Sequence, residues 1–381
     1  MINSFEQLPL LCFSHLRWDF VYQRPQHLLS RFALHQPVFY IEESICDSDH
    51  NYFETYHRGD NLKIIVPHIV KEATVEDSLA IQRDLLDEWM EKEIEDKYLL
   101  WYYTPAALAF TKHLSPEIII YDCMDELSAF LHAPAELKAL ENELFDRADI
   151  VFTGGKSLFE SKRKKHSNVY LFPSSVDSEH FKHARAINQE PADQIKISEP
   201  KAGFAGVIDE RMDLHLLKDL ADKCPEWNFI MIGPVVKIDV EALPKAPNLH
   251  YLGMKTYNEL PAYMSGWKFG LLPFALNKST AFISPTKTPE YLAAGLEVIS
   301  TPIQDVVNIY GKKRLVYIAT NGEEFKDFLN KELSLKESET WKNEIEILLE
   351  ENSWNGTWEK MNDIIYKKEI FKTTKTELHE I

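Results

Sequence analysis

Four cysteines in 381 residues, at positions 12, 46, 123 and 224, include no CxxC pair. That spacing argues against both a zinc knuckle and a disulfide scaffold and leaves reduced core thiols. Positive charge is scarce too. A formal net charge of -18 excludes nonspecific binding to nucleic acid, because a polyanion must be met by surplus lysine and arginine. An anionic ligand would therefore need a local basic site. The opening MINSFEQLPLLCFSHLRWDF has no basic n-region and only a short apolar run, too little for a signal peptide or a membrane span, so the expected location is cytoplasmic. Also missing are GxxxxGK[ST], HExxH, GxSxG and a strict GxGxxG after the first apolar run. These gaps weigh against an NTPase, a metalloprotease, a hydrolase of that class and a dinucleotide oxidoreductase.

What remains is ample core material. The chain is 45% hydrophobic and 12% aromatic, and its length exceeds what one core of ~100–150 residues would use, so two domains are expected. Short apolar runs at 8–13, 38–41, 62–66, 99–103, 118–121, 150–153 and 169–172 alternate with helical patterns at 25–32, 75–97 and 135–147 and a helix opening near Ser157. This rhythm reads as βα units on a mostly parallel sheet. Between 183 and 201 the chain turns polar and reads as a linker. A second series follows, with strands at 202–207, 228–232, 250–252, 269–272, 298–300 and 315–318. The fold class is α/β, with two Rossmann-like domains, 1–185 and 199–352, and an amphipathic return helix at about 354–381 packing on the first.

In open α/β sheets, ligands bind beyond the carboxyl ends of the strands. The segment FISPTKTPEYLAAG at 282–295 lies between two such strands. There Ser284 reads as a helix N-cap, Pro285 as the first helical residue, and Thr286 and Lys287 as the next two, with free N–H groups for a diphosphate. Lys287 adds charge, and Glu290 could accept hydrogen bonds from ribose hydroxyls. In GFAGVIDER, Gly203 and Gly206 allow close approach of a ligand to the backbone. Arg211 follows on the loop, and with Lys237 and Lys287 it could converge on phosphate oxygens. Each alone reads equally well as a solvated surface charge. His15, after the first strand, is a candidate proton carrier or phosphate partner, or simply structural. Asp122, Asp125 and Glu126 suggest a general base or sugar contacts, with helix capping by Asp125 or Ser128 as the plainer reading. The run KRKKH at 162–166 could let one face touch anionic lipid, or could be a solvated helix face.

The segments WDFVYQRPQHLLSR, WYYTPAALAF, YDCMDELSAF, FTGGKSLFE, FPSSVD, ISPTKTPEYLAAG and SWNGTWEKM together resemble bacterial glycosyltransferases of the family 4 type, in particular a teichuronic-acid subgroup and sugar-transferase domains found beside UDP-galactopyranose mutase. The resemblance spans nearly the whole chain. It implies the GT-B fold, a UDP- or GDP-type sugar donor held by the second domain, a polysaccharide, lipid-linked or other glycan acceptor facing the first, no required metal or other cofactor, and retention of configuration. It also implies that Glu290 corresponds to the second glutamate of an E-x7-E pattern, which contacts the donor ribose. The first glutamate of that pattern is replaced by Ile283 or Phe282. Asp122 or Asp125 stands where many relatives carry a catalytic histidine. A nucleotide-sugar 2-epimerase and a non-catalytic sugar-nucleotide-binding protein are the alternative readings.

Overall fold

The computed structural model describes residues 8–331 and 335–379. Two sheets organise it. The first contains β1 (Leu10–Phe13), β2 (Val38–Ile41), β3 (Ile45–Ser48), β4 (Tyr52–His57), β5 (Leu62–Val70), β6 (Leu99–Tyr102), β7 (Ile118–Cys123), β8 (Ile150–Thr153) and β9 (Val169–Leu171). Their order is β3-β5-β2-β1-β6-β7-β8-β9, all parallel except β4, which runs antiparallel to β5. The second contains β10 (Lys201–Ala205), β11 (Asn228–Ile232), β12 (Leu249–Gly253), β13 (Phe269–Leu272), β14 (Glu297–Ser300) and β15 (Tyr317–Ile318). Its order, β12-β11-β10-β13-β14-β15, is the doubly wound arrangement in which strand order reverses between the first and fourth strands. Each sheet thus has a switch point, between β1 and β6 and between β10 and β13.

Parallel strands covered on both faces must be apolar throughout rather than alternating. LLCF, VFYI and IVFT are buried at every position. Side chains of β1 point alternately to two cores: Leu10 and Cys12 join Leu28, Phe32 and Trp101, whereas Leu11 and Phe13 join Leu86, Leu108 and Leu144. The second sheet has its own core, built around Phe204, Ile230, Leu271 and Val298. Cys12, Cys123 and Cys224 are buried free thiols, and Cys46 is exposed.

The structure departs from the sequence pattern in three places. β3 and β4 fall in the polar stretch 45–57, which carries no strand signal; they are half-exposed edge strands ordered by pairing with β5. The polar 183–201 stretch is no free tether. Gln194 is fully buried, donating to the Tyr263 carbonyl at 2.8 Å and accepting from Trp267 Nε1 at 2.9 Å, while Glu190 holds the buried Lys201 ammonium at 2.7 Å. Its polarity serves internal hydrogen bonds, which is what burial of polar groups requires. Lastly, the basic run is only partly solvated, since Arg163, Lys164 and Lys165 are exposed but its first lysine is not. Lys162 is 1% exposed and bridges Glu126 and Glu141 at 2.7 Å each, and Lys165 also reaches Glu141.

The closing helix (Trp354–His379) returns to the first sheet. Trp354, Met361 and Ile365 enter the core that contains Leu28 and Phe32, and the Trp354 ring stacks on His27 at 4.6 Å. Among the described residues no helix is long and apolar enough to cross a membrane.

Candidate active site

The two switch points face each other across a cleft, and the loops that leave them are fixed by buried polar groups. After β1, the Ser14 hydroxyl accepts from Leu16 N at 3.0 Å. Glu42, at the end of β2, accepts from Trp18 N at 2.7 Å and from the Arg17 guanidinium at 2.8 Å. Gln26 donates to the Trp18 carbonyl at 2.7 Å. The loop from Ser14 to Tyr22 is therefore pre-shaped before any ligand arrives.

On the opposite side, the loops after β10 and β11 meet backbone to backbone. Gly233 has φ +143, and a Cβ there would lie 1.8 Å from the Gly206 carbonyl oxygen, so only glycine fits. Ala205 N donates to the Tyr291 hydroxyl at 2.8 Å, which ties the end of β10 to the helix Lys287–Ala293. That helix begins later than the Ser-Pro signal suggests. Thr286 is its N-cap residue, without a side-chain cap, and Ser284 is engaged elsewhere, its carbonyl accepting from Ser174 Oγ at 3.2 Å.

Two adjoining cavities occupy the cleft. The larger, about 650 Å³, is walled by Trp18 to Tyr22, by Ala205, Gly206, Gly233 and Pro234, and by Met254 to Asn258. Its aromatic side is a cluster in which Tyr257 stands 4.8 Å from Tyr22 and stacks on His180 at 4.3 Å. The Tyr257 hydroxyl is buried without a partner. The smaller, about 160 Å³, lies between Asp125, Gly154 and Ser174 on one side and Gly206, Arg211, Ser284 and Thr286 on the other. Val21, Tyr22, Gly206 and Lys287 line both, so Lys287 stands at the junction.

The candidate residues divide accordingly. Asp125, Gly206, Arg211, Ser284, Thr286 and Lys287 meet around the smaller cavity. Glu290 sits behind the wall, 6% exposed and ion-paired with Lys287; burial raises its carboxyl, and the Lys287 charge opposes that rise. Asp122 is fully buried and bound in two parallel bonds to Arg24, at 2.8 and 2.9 Å. Both of its oxygens accept from Arg24, which holds the helix Arg24–Phe32 to β7, so in this buried pair it is a positioning group rather than a base. Asp125 is different. Burial raises its carboxyl despite Arg211 and Lys237 nearby, which is the environment of a proton acceptor or donor.

His15 lies off both cavities. Its Nδ1 is buried without a partner, and burial followed by the Lys237 charge lowers its pKa to about 4. Lys237 and Arg211 both face the Phe130 ring, at 4.8 and 5.4 Å, and Arg211 is held by Asp209 at 2.7 Å. Tyr257 and its neighbours after β12 carry no motif and escape a reading by pattern; an aromatic residue just past a strand-end glycine is the faint signal that could have marked them. Among the described residues no three His, Cys, Asp or Glu side chains gather as a metal-ligand set.

No protein-family model matches the chain. Over 294 residues it is 25% identical to the Bacillus subtilis (strain 168) protein named as a teichuronic acid biosynthesis glycosyltransferase, TuaH, covering 71% of this chain and 72% of that one. Among solved structures it resembles a sucrose-phosphate synthase from Thermosynechococcus elongatus, with a TM-score of 0.72 at 12% identity over 96% of this chain and 100% of the other. A UDP-forming trehalose-phosphate synthase from Burkholderia xenovorans, solved with glucose-6-phosphate, aligns with a TM-score of 0.68 at 11% identity over 94% and 99%. An E. coli trehalose-6-phosphate structure bound with UDP-2-fluoroglucose aligns with a TM-score of 0.67 at 11% identity over 95% and 99%. The architecture is that of GT-B glycosyltransferases.

Proposed function

We propose that this chain, a glycosyltransferase with the GT-B fold, moves a sugar from a UDP- or GDP-type donor to a hydroxyl of a polysaccharide, lipid-linked or other glycan acceptor, without a metal and with retention of configuration. The observation that carries the reading is the pair of joined cavities with Lys287 and Gly206 on both. A nucleoside fits the larger, where Tyr257, Met254 and the Gly233–Pro234 turn offer flat apolar contact. Its diphosphate then falls at the junction, beside the Lys287 ammonium and the bare Gly206 backbone. The transferred sugar occupies the smaller cavity, next to Asp125.

Charge builds on the leaving diphosphate as the glycosidic bond breaks. Fixed donors aimed at that charge lower the barrier, each by ~3–4 kcal/mol where water is excluded. Lys287 and Arg211 are those donors, and both start from carboxylate partners, Glu290 and Asp209, that orient them. Asp125 supplies the carboxylate that orients the acceptor hydroxyl or takes its proton.

The test is a thermal-shift series with UDP, GDP, dTDP, ADP and CMP in EDTA, on the wild type and Lys287→Ala. One diphosphate raises the Tm of the wild type by mass action, and Lys287→Ala weakens its binding at least about tenfold, or ~1.4 kcal/mol. If no nucleotide shifts the wild type, the donor site drawn here is wrong. Product analysis separates transfer from 2-epimerisation, since only transfer leaves the sugar on a second molecule.

A further inference from the structure

The smaller cleft cavity, about 160 Å³, is apolar on one part of its wall and polar on the rest. The apolar part is a floor made by the second half: Phe204 and Phe274, edge to face at 6.1 Å, with Ile283 and Val207 beside them. Phe204, Phe274 and Ile283 are the edge of that half's packed core, 2%, 9% and 6% exposed, and Val207 is partly buried. None of the four lines the larger cavity, so the floor lies off the junction marked by Lys287. The basic group on the same side is already engaged: Arg211 donates to Asp209 through Nε at 3.0 Å and Nη2 at 2.7 Å. Polar side chains are found instead at Asp125, across the cavity, and at Ser284 and Thr286.

We propose, resting on the donor-site reading above, that the sugar carried by the nucleotide is a 6-deoxyhexose, whose methyl group packs on the floor of Phe204, Val207, Phe274 and Ile283. Size sets the first limit. The volume corresponds to roughly five waters at ~30 Å³ each, which one hexose ring fills without room for an N-acetyl branch. Position sets the second. The anomeric carbon is bonded to the diphosphate at the junction, so C4 to C6, across the ring from it, extend toward walls that the junction does not share. Chemistry sets the third. A hydroxymethyl group laid on the floor gives up its water and finds no hydrogen-bond partner, a penalty of about 5–150-fold in affinity, whereas a methyl group gains apolar contact there. That range agrees with the ~10²-fold by which an apolar pocket rejects an isostere bearing an added hydroxyl. A carboxylate at the same carbon fares worse, because a buried unpaired charge costs more than a hydroxyl and Arg211 is occupied by Asp209. The remaining ring hydroxyls keep partners in Asp125, Ser284 and Thr286.

The experiment is titration calorimetry on the full chain in EDTA. The ligands are the nucleoside diphosphate that shifts the wild type, its glucose, galactose and mannose conjugates each beside the 6-deoxy counterpart of the same configuration, and its glucuronic acid conjugate. At least one 6-deoxy conjugate is expected to bind about tenfold or more tighter than its hydroxylated twin, and tighter than the bare diphosphate. Val207→Thr puts a hydroxyl on the floor while keeping the side chain's shape, and is expected to narrow that gap at least about threefold. The wild-type pairs decide the matter even if this variant folds poorly. The proposal is overturned if no 6-deoxy conjugate exceeds its twin, if the glucuronic acid conjugate binds as tightly as the best 6-deoxy one, if the sugars add nothing to the bare diphosphate, or if well-folded Val207→Thr keeps the full gap. Failure of the donor reading shows separately, as the absence of any diphosphate binding to the wild type, and the sugar assignment then falls with it.

Discussion

Three acidic residues within five positions at the end of β7 look alike in sequence, and burial gives them different work. Asp122 is fully buried against Arg24, and Glu126 meets the buried Lys162. Asp125 faces the cleft. A buried ion pair is costly to break from one side, because the surviving charge keeps its desolvation penalty without its partner. Arg24→Leu should therefore lose about 3–5 kcal/mol of stability in urea denaturation; a loss below ~1 kcal/mol would mean that Asp122 is solvated and free for other work. Histidine is read no better from pattern. His27 is buried between Trp354 and Tyr257, and its pKa is lowered to about 2 by burial first, then by Arg31, Lys287 and His180. With its folded pKa below the unfolded ~6.5, the neutral ring's contribution is complete above that pH and is lost as pH falls, at up to ~1.4 kcal/mol per pH unit. His27→Phe keeps the ring contacts without the titration. Its stability should decline between pH 6.5 and 4.5 less steeply than wild type, by about 1 kcal/mol per unit, in urea melts across that range.

Strands announce themselves where both faces are buried, which is why 228–232 and 269–272 are bounded correctly by pattern alone. Edge strands such as β3 and β4 are half solvated and keep no such signature. The helix at Lys287 shows the same limit: Ser284 and Pro285 are good starters, yet the helix begins at Lys287 and the Ser284 carbonyl accepts from Ser174 of the other half. Past β7, the loop carrying Phe130 is held to the second half by Arg211 and Lys237 over its ring and by Leu131 N to Glu210 at 3.2 Å. Cation–π contacts of this kind contribute ~0.5–2 kcal/mol each. Phe130→Ala should thus speed hydrogen exchange across 127–136 by roughly 5–30-fold, the factor for 1–2 kcal/mol, and leave exchange of β7 unchanged. Mass-spectrometric exchange reads both; protection unaltered in the loop would show that Phe130 does not anchor it.

At the scale of the molecule, the cleft is closed along one edge by a carboxylate of the second half that caps a helix of the first. Asp305 accepts from Lys156 N at 2.8 Å and Ser157 N at 3.0 Å, and a Cβ on Gly155 would lie 2.5 Å from its Oδ2. Losing such a cap costs ~0.5–2 kcal/mol, here drawn from the contact between halves. Asp305→Ala should give a larger radius of gyration by small-angle X-ray scattering without nucleotide, reversed when the diphosphate binds; an unchanged radius would show that this edge does not hold the halves together. The sequence alone determined the two α/β series, the return helix, and the ends of β1, β7, β10, β11 and β13 where the candidate residues lie, because apolar periodicity and strand-end position are local properties. Only the tertiary structure decided which of those residues share a cavity. Lys287 stands at the junction, Glu290 behind it and Asp122 in the core. The aromatic wall around Tyr257 comes from four separate segments. Burial, pairing and convergence between residues far apart in the chain arise from packing the two halves, and no local pattern encodes them.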